Sequence, residues 1–175
     1  NEWGDHLSLL RFAEQHFTPA RPVFLLHRLD REASGLVLLA HNKQAAGALS
    51  KLIAERAIIK KYRVRVKGAL PADVLSQGRI ALPLDGKASE SRFSLLEYCS
   101  LTDTSLLEVI LISGRKHQIR RHFAAINCPV MGDPQYGRQN KSATGLALQA
   151  VELAFFCALK RRQQQFLLPA SLVQS

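Results

Sequence analysis

The clearest pattern in the chain runs over Ile59–Lys67. Tyr62, Val64 and Val66 alternate with Lys61, Arg63, Arg65 and Lys67. That is the two-residue period of a strand with one buried and one wet face, and Gly68 closes it. Asn42 before residues 43–56 predicts a capped helix with Ala45, Ala46, Leu49, Leu52 and Ile53 on one face. A similar stripe of Leu9, Leu10, Phe12, Ala13 and Phe17 predicts a helix over 6–17, with Asp5 as cap and Pro19 and Pro22 beyond its end. Short apolar runs predict buried strands at 23–26 and 36–40. Further strands are expected at 79–82, Ser91–Cys99 and 106–112, the last two as an antiparallel pair, with turns at Asp85-Gly86 and Thr102-Asp103. Past Ser113-Gly114 the helical period returns over 117–126 with Ile119, Phe123 and Ile126 inward. Gly132-Asp133-Pro134 reads as a loop, and short strands follow at 146–149 and 151–155. Many strands, few helices and no regular alternation between them predict an α+β fold with a largely antiparallel sheet. No linker divides residues 1–175, which read as one domain.

Composition narrows the partner. The 175 residues carry 24 Lys and Arg against 14 Asp and Glu, a formal charge of +10. The excess is spread along the chain: fourteen basic to eight acidic residues in 1–88, and ten to six in 89–175. A distributed positive field favours a polyanion, of which nucleic acid is the commonest. No apolar run reaches the ~18–20 residues that span a bilayer, so no membrane partner is expected. Cys99, Cys128 and Cys157 form no CxxC pair and lie in apolar stretches, which reads as reduced, buried thiols in a reducing compartment such as the cytoplasm.

Three segments carry chemistry. In His27-Arg28-Leu29-Asp30-Arg31-Glu32-Ala33-Ser34-Gly35 a carboxylate sits between two arginines on a turn. Neighbouring positive charge favours the carboxylate form, ready to act as nucleophile or base. An ordinary surface loop with salt bridges fits the same residues. In Ser113-Gly114-Arg115-Lys116-His117-Gln118-Ile119-Arg120-Arg121-His122 a glycine turn opens a helix dense in cations. Helix-start amides and clustered cations together suit an anion; a solvated basic face is the alternative. His117 and His122 are five apart and share no helical face, so a zinc pair is not expected. In Lys60-Lys61-Tyr62-Arg63-Val64-Arg65 an aromatic stands among cations, either a stacking platform for a base or a core tyrosine.

Taken in order, His27-Arg28-Leu29-Asp30 with Ser34-Gly35, Lys61-Tyr62, Gly114-Arg115 with His117-Gln118-Ile119-Arg120 and His122, and Gly132-Asp133 with Tyr136-Gly137 closely resemble the RluA family of RNA pseudouridine synthases. The likeness covers residues 25–155. It implies one catalytic domain with a mixed, mainly antiparallel sheet, flanking helices and a central cleft, and conversion of uridine to pseudouridine in ribosomal or transfer RNA. It also implies that neither metal nor organic cofactor is needed. A monomer is expected. By resemblance Asp30 is the catalytic aspartate, attacking C1′ of a flipped-out uridine or taking its C2′ proton. Tyr62 matches the active-site tyrosine that packs on the base and helps remove the C5 proton. Arg115 matches the arginine paired with the aspartate. Arg28 matches the arginine that fills the gap left by the flipped base. Lys61, Lys116, Gln118, Arg120 and Arg121 are expected on the substrate side.

The sequence departs from that pattern in places. Ala33 replaces a threonine before Ser-Gly, Ser113 replaces a threonine before Gly-Arg, and Gln149 stands where relatives have histidine. No Lys-Pro-x-Gly segment precedes the aspartate motif, and Met131 is the single methionine. An N-terminal piece, with any S4-type RNA-binding domain, is therefore expected to lie outside this chain. These departures keep a second reading open, a non-catalytic RNA-binding paralogue or inactive fragment. A metal-dependent nuclease has only the charge and the histidines behind it.

Overall fold

The computed structural model of the chain describes residues 4–16 and 21–174. In chain order the elements are α1 (Gly4–Gln15), β1 (Phe24–Leu25), β2 (Ser34–Gly35), β3 (Leu39–Ala40), α2 (Lys43–Ala54), β4 (Ile59–Lys67) and α3 (Ala72–Gln77). They continue as β5 (Arg79–Ile80), β6 (Ser91–Cys99), β7 (Thr104–Leu111), α4 (Gln118–Ala125), β8 (Leu148–Cys157) and β9 (Arg162–Leu167), with a 3₁₀ turn at Ala170–Leu172. The side chain of Asp5, and Phe17 and Pro19 at the predicted end of the first helix, lie outside the described residues.

Among the described residues one sheet of seven strands runs β2-β8-β4-β7-β6-β5, with β9 added to β8. Only β2 is parallel to its neighbour, β8, so the sheet is mixed and mainly antiparallel, as expected. The alternation in β4 holds: Tyr62, Val64 and Val66 enter the core, where they meet Leu107 and Val109 of β7 and Ile119 and Phe123 of α4. A second cluster, Ile58, Leu153 and Phe155, is covered by Leu49, Leu52 and Ile53 of α2. Asn42 caps that helix, accepting a hydrogen bond from the Ala45 amide at 2.7 Å.

The predicted strands at 146–149 and 151–155 are one strand with a phase break. Tyr62 pairs with Ala150 and Lys61 with Glu152, so Val151 bulges out of the ladder. One extra residue shifts the side-chain parity: Leu148 and Ala150 face the first cluster before it, Leu153 and Phe155 the second after it. Of the predicted strand at 36–40 only Leu39–Ala40 forms one, and a second short strand precedes the predicted range. Ser34–Gly35 pairs with β8 and Leu39–Ala40 with β1. Gly35 (φ 101°) passes so close to Ala150 that a Cβ would run into its carbonyl. Helix α3 was not expected, although Pro71 before it, Asp73 in its first turn and left-handed Gly78 (φ 61°) after it are start and stop signals. Strand β9, Arg-Gln-Gln-Gln-Phe-Leu, is mostly exposed and polar, which hides it from a hydrophobic pattern. Gln149 ties down the chain end, donating to the Leu172 carbonyl and accepting from the Gln174 amide, each at 2.9 Å. Cys99, Cys128 and Cys157 are free thiols, but only Cys128 is buried; Cys99 and Cys157, at the ends of β6 and β8, are partly exposed. Among the described residues no helix is long and apolar enough to cross a membrane.

Candidate active site

Asp30 stands at the tip of the loop between β1 and β2. The Ala33 amide closes a turn on the Asp30 carbonyl at 3.0 Å, and His27 Nε2 accepts from the Leu38 amide at 3.0 Å, so both ends of the loop are fastened. A cleft of about 660 Å³ opens between this loop, β4, the end of α2 and the segment leading into α4, with Asp30, Tyr62, Arg28, Arg115 and Lys116 in its walls. The volume is in the range of cavities that enclose a small molecule.

The carboxylate of Asp30 meets α4. Arg120 Nη1 donates to Asp30 Oδ2 at 3.4 Å, and His117 Nε2 lies 3.8 Å from Oδ1. Arg120 is only 2% exposed. Its Nε and Nη2 donate to Asp133 at 2.8 and 2.9 Å, which leaves Nη1 for Asp30 and, at 3.6 Å, Glu32. Tyr136 completes the support: its ring lies 5.2 Å beneath the guanidinium, and its hydroxyl is 2.9 Å from His117 Nδ1. The hydrogen bonds to Asp133 raise Arg120 above the ordinary arginine value. Burial pushes the Asp133 carboxyl up, but hydrogen bonds from Arg120 and the amides of Gln135 and Tyr136 outweigh it and hold the group low. His117 is lowered by burial and by Arg120 and Lys116, against the pull of Asp30. It starts α4 in the left-handed conformation (φ 51°), a sparsely populated state for a residue with a Cβ.

Tyr62, 8% exposed, turns its ring into the same cleft. Burial and the charge of Asp30 push its hydroxyl up to about 12, so at neutral pH it is a phenol.

Several expected site residues have partners other than those expected, or point away from the cleft. Arg115 is not the partner of Asp30. It lines the cleft, donates from Nη2 to the Ala88 carbonyl at 3.3 Å, and has an enclosed Nε without an acceptor. Arg120, expected on the substrate side, holds the aspartate because α4 turns it inward beside Ile119 and Phe123. Lys61 faces away, bound to Glu108 at 3.1 Å and Glu152 at 3.0 Å; strand parity puts its neighbour Lys60 on the Tyr62 face instead. Arg121 points outward to Asp85 in a paired contact of 2.8 and 3.0 Å. Gln118 borders the cleft but is buried with its amide engaged in the fold: it accepts from Ser113 Oγ and the Arg115 amide and donates to the Glu90 carbonyl and Ser91 Oγ. Arg28 and Lys116 do line the cleft. Asp133, Tyr136, His117 and Lys60 had no assigned role in the sequence reading. Among the described residues no group of three or more His, Cys, Asp or Glu could hold a metal ion.

Beneath Gln118 the network continues. His122, fully buried, bridges Ser91 Oγ at 3.0 Å and the Leu82 carbonyl at 3.1 Å. Burial lowers its pKa below 6.5, with the Leu82 carbonyl opposing and Arg121 assisting. The unfolded chain therefore binds the proton more readily. The stability this histidine supplies is whole above pH 6.5 and shrinks as pH falls below that value. The urea midpoint is expected to drop between pH 7 and about 5.5, and His122→Gln to reduce that dependence, with the remainder left to His27 and His117, which are lowered as well.

Residues 2–125 match the family model described as RNA pseudouridylate synthase. The chain is 34% identical over 152 residues to the dual-specificity RNA pseudouridine synthase RluA of Vibrio parahaemolyticus, covering 75% of this chain and 60% of that protein. It is 30% identical over 166 residues to the ribosomal large subunit pseudouridine synthase D of Zymomonas mobilis, covering 84% and 52%. The chain thus spans roughly half to three fifths of these relatives. In fold it is similar to human RNA pseudouridylate synthase domain containing 1, with a TM-score of 0.78 and 23% identity over 94% of this chain and 74% of that one.

Proposed function

This chain belongs to the RluA family of RNA pseudouridine synthases, and from that premise we propose that it isomerises specific uridines of structured RNA, ribosomal or transfer, with Asp30 as the catalytic aspartate. The observation that carries the reading is that Asp30 and Tyr62 line one cleft, with the Asp30 carboxylate met from behind by the arm of Arg120 that Asp133 leaves over. We also assign it to an aqueous, reducing compartment such as the cytoplasm, acting as a monomer.

A uridine stacked in a helix cannot bring its ribose to a carboxylate recessed in a cleft, so it must be flipped out. Arg28 and Lys116 in the cleft walls supply positive charge to the displaced backbone. Asp30 then meets the ribose, at C1′ as nucleophile or at the C2′ proton as base. The N1–C1′ bond breaks, the uracil turns, and C5 bonds to C1′. C5 gives up its proton and N1 takes one, so atoms balance without an oxidant or co-reactant. Tyr62 meets the base as a phenol, a stacking surface with one O–H to donate; moving the C5 proton through its oxygen requires prior loss of its own.

The test is tritium release from RNA labelled at uridine C5, with pseudouridine mapped in the product. No release from ribosomal or transfer RNA would leave the binding-only reading standing. Removing the ring with Tyr62→Ala is expected to forfeit about 1–3 kcal/mol of base stacking, roughly 5- to 150-fold in single-turnover rate or affinity. Tyr62→Phe keeps the ring and loses one neutral hydrogen bond, an effect of about tenfold or less. Equal losses in the two variants would move the role from ring to hydroxyl.

A further inference from the structure

The face of β4 turned away from Tyr62 carries four cations in a row, and only the first is neutralised. Lys61 holds both nearby carboxylates, Glu108 and Glu152, although Glu108 stands directly across the ladder from Arg63. Among the described residues no carboxylate oxygen lies within 4.0 Å of Arg63, Arg65, Lys67 or Lys141. The Arg63 Nε is enclosed and donates to nothing. The Arg65 guanidinium donates to the Thr104 hydroxyl at 3.2 Å. A groove of about 270 Å³ lies over these two arginines, bordered by Lys141 and the hydroxyls of Thr104 and Ser142.

Such a row is unusual for a sheet. Side chains two residues apart on a strand stand about 6.6–6.8 Å apart, and like charges at that spacing repel unless cross-strand acids answer them. Here the acids are committed to Lys61. A line of unanswered guanidiniums with hydroxyl donors beside it is complementary to an extended polyanion, and guanidinium is the group best shaped to grip phosphate through two bonds. The spacing of the row suits successive phosphodiesters of one strand.

We propose that this groove is a second RNA-backbone site, in which Arg63 and Arg65 grip consecutive phosphates of a strand flanking the target stem, on the side of the sheet away from Asp30. The proposal rests on RNA being the substrate class of the cleft. The test measures anisotropy of a fluorescein-labelled RNA hairpin with single-stranded flanks, titrated with the whole chain over a series of salt concentrations. Arg63→Gln with Arg65→Gln is expected to lower the slope of log affinity on log salt by about 1.4–1.8, the release of two phosphate counterions. Arg63→Lys with Arg65→Lys is expected to keep most of that slope, which separates lost charge from a damaged sheet. An unchanged slope in the Gln double variant overturns the proposal. So does calorimetric binding of inorganic phosphate that depends on the two arginines while the RNA slope stays unchanged, since that makes the groove a small-anion site. Tritium release by the unaltered chain is read in parallel. Its absence alongside a changed slope would defeat the catalytic reading of the cleft and leave the groove supported.

Discussion

Asp30→Asn is expected to reduce conversion of uridine by roughly 10⁴-fold or more, while affinity for RNA changes little. Removing the residue that attacks or deprotonates the substrate has an effect of that order in other enzymes, equivalent to about 5.5 kcal/mol of transition-state stabilisation. Asparagine keeps the shape and one acceptor for Arg120 Nη1, now 3.4 Å from the carboxylate, so the loop fastened at His27 and Ala33 should survive. In the proposed reading RNA is held by cations, Arg28 and Lys116 in the cleft walls among them, and not by this carboxylate. Single-turnover tritium release together with filter binding separates the two quantities. Turnover within tenfold of the unaltered chain would remove Asp30 from the chemistry and leave another group in the cleft to be found.

How far the site was legible depends on which physical rule governed each residue. The β4 alternation placed Tyr62, Val64 and Val66 inward, and burial follows it residue by residue. The same parity puts Lys60, not Lys61, beside Tyr62; the resemblance drew attention to Lys61 and strand geometry overrules it. Asp30 was legible because its motif is local and ordered. Its partner was not, since Arg120 lies ninety positions away and four cations crowd one short segment. A signal did exist. Arg120 is three residues before Phe123, so a helix that buries Phe123 also buries the arginine. A buried arginine needs carboxylates, and Asp133 sits just beyond the helix. Arg121, one step further round, falls on the wet side and finds Asp85. The Val151 bulge left only a trace, a change of phase between two apparent strands. Strand β9 left none, because an exposed polar edge has no periodicity to read.

Arg120→Lys separates the two arginines as partners of the aspartate. Lysine keeps the charge, but its single ammonium cannot hold Asp133 through two parallel bonds and also present a donor to Asp30. The expected result is a loss of about 10²–10³-fold in turnover, the scale of removing one well-placed donor from an active site, with a lowered melting temperature. Arg120→Met should do worse to the fold. It leaves Asp133, 3% exposed, as a buried charge without its cation, a change that costs about 3–5 kcal/mol. Asp133→Asn tests whether the effect on rate travels through orientation. Arg120 would keep its charge and lose one of its two fixed bonds to this residue, so turnover should fall while Asp30 stays untouched. Arg115→Lys, by contrast, changes a residue whose guanidinium bonds the Ala88 carbonyl, and turnover should stay within about tenfold, the effect of a single neutral hydrogen bond. If Arg115→Lys proves the more damaging, the segment before α4 must rearrange when RNA enters, swinging Arg115 to Asp30 and releasing Arg120 to Asp133 and Glu32. Single-turnover rates for the three conservative variants, with melting curves to hold the fold constant, distinguish a pair already made in the free protein from one made only on RNA.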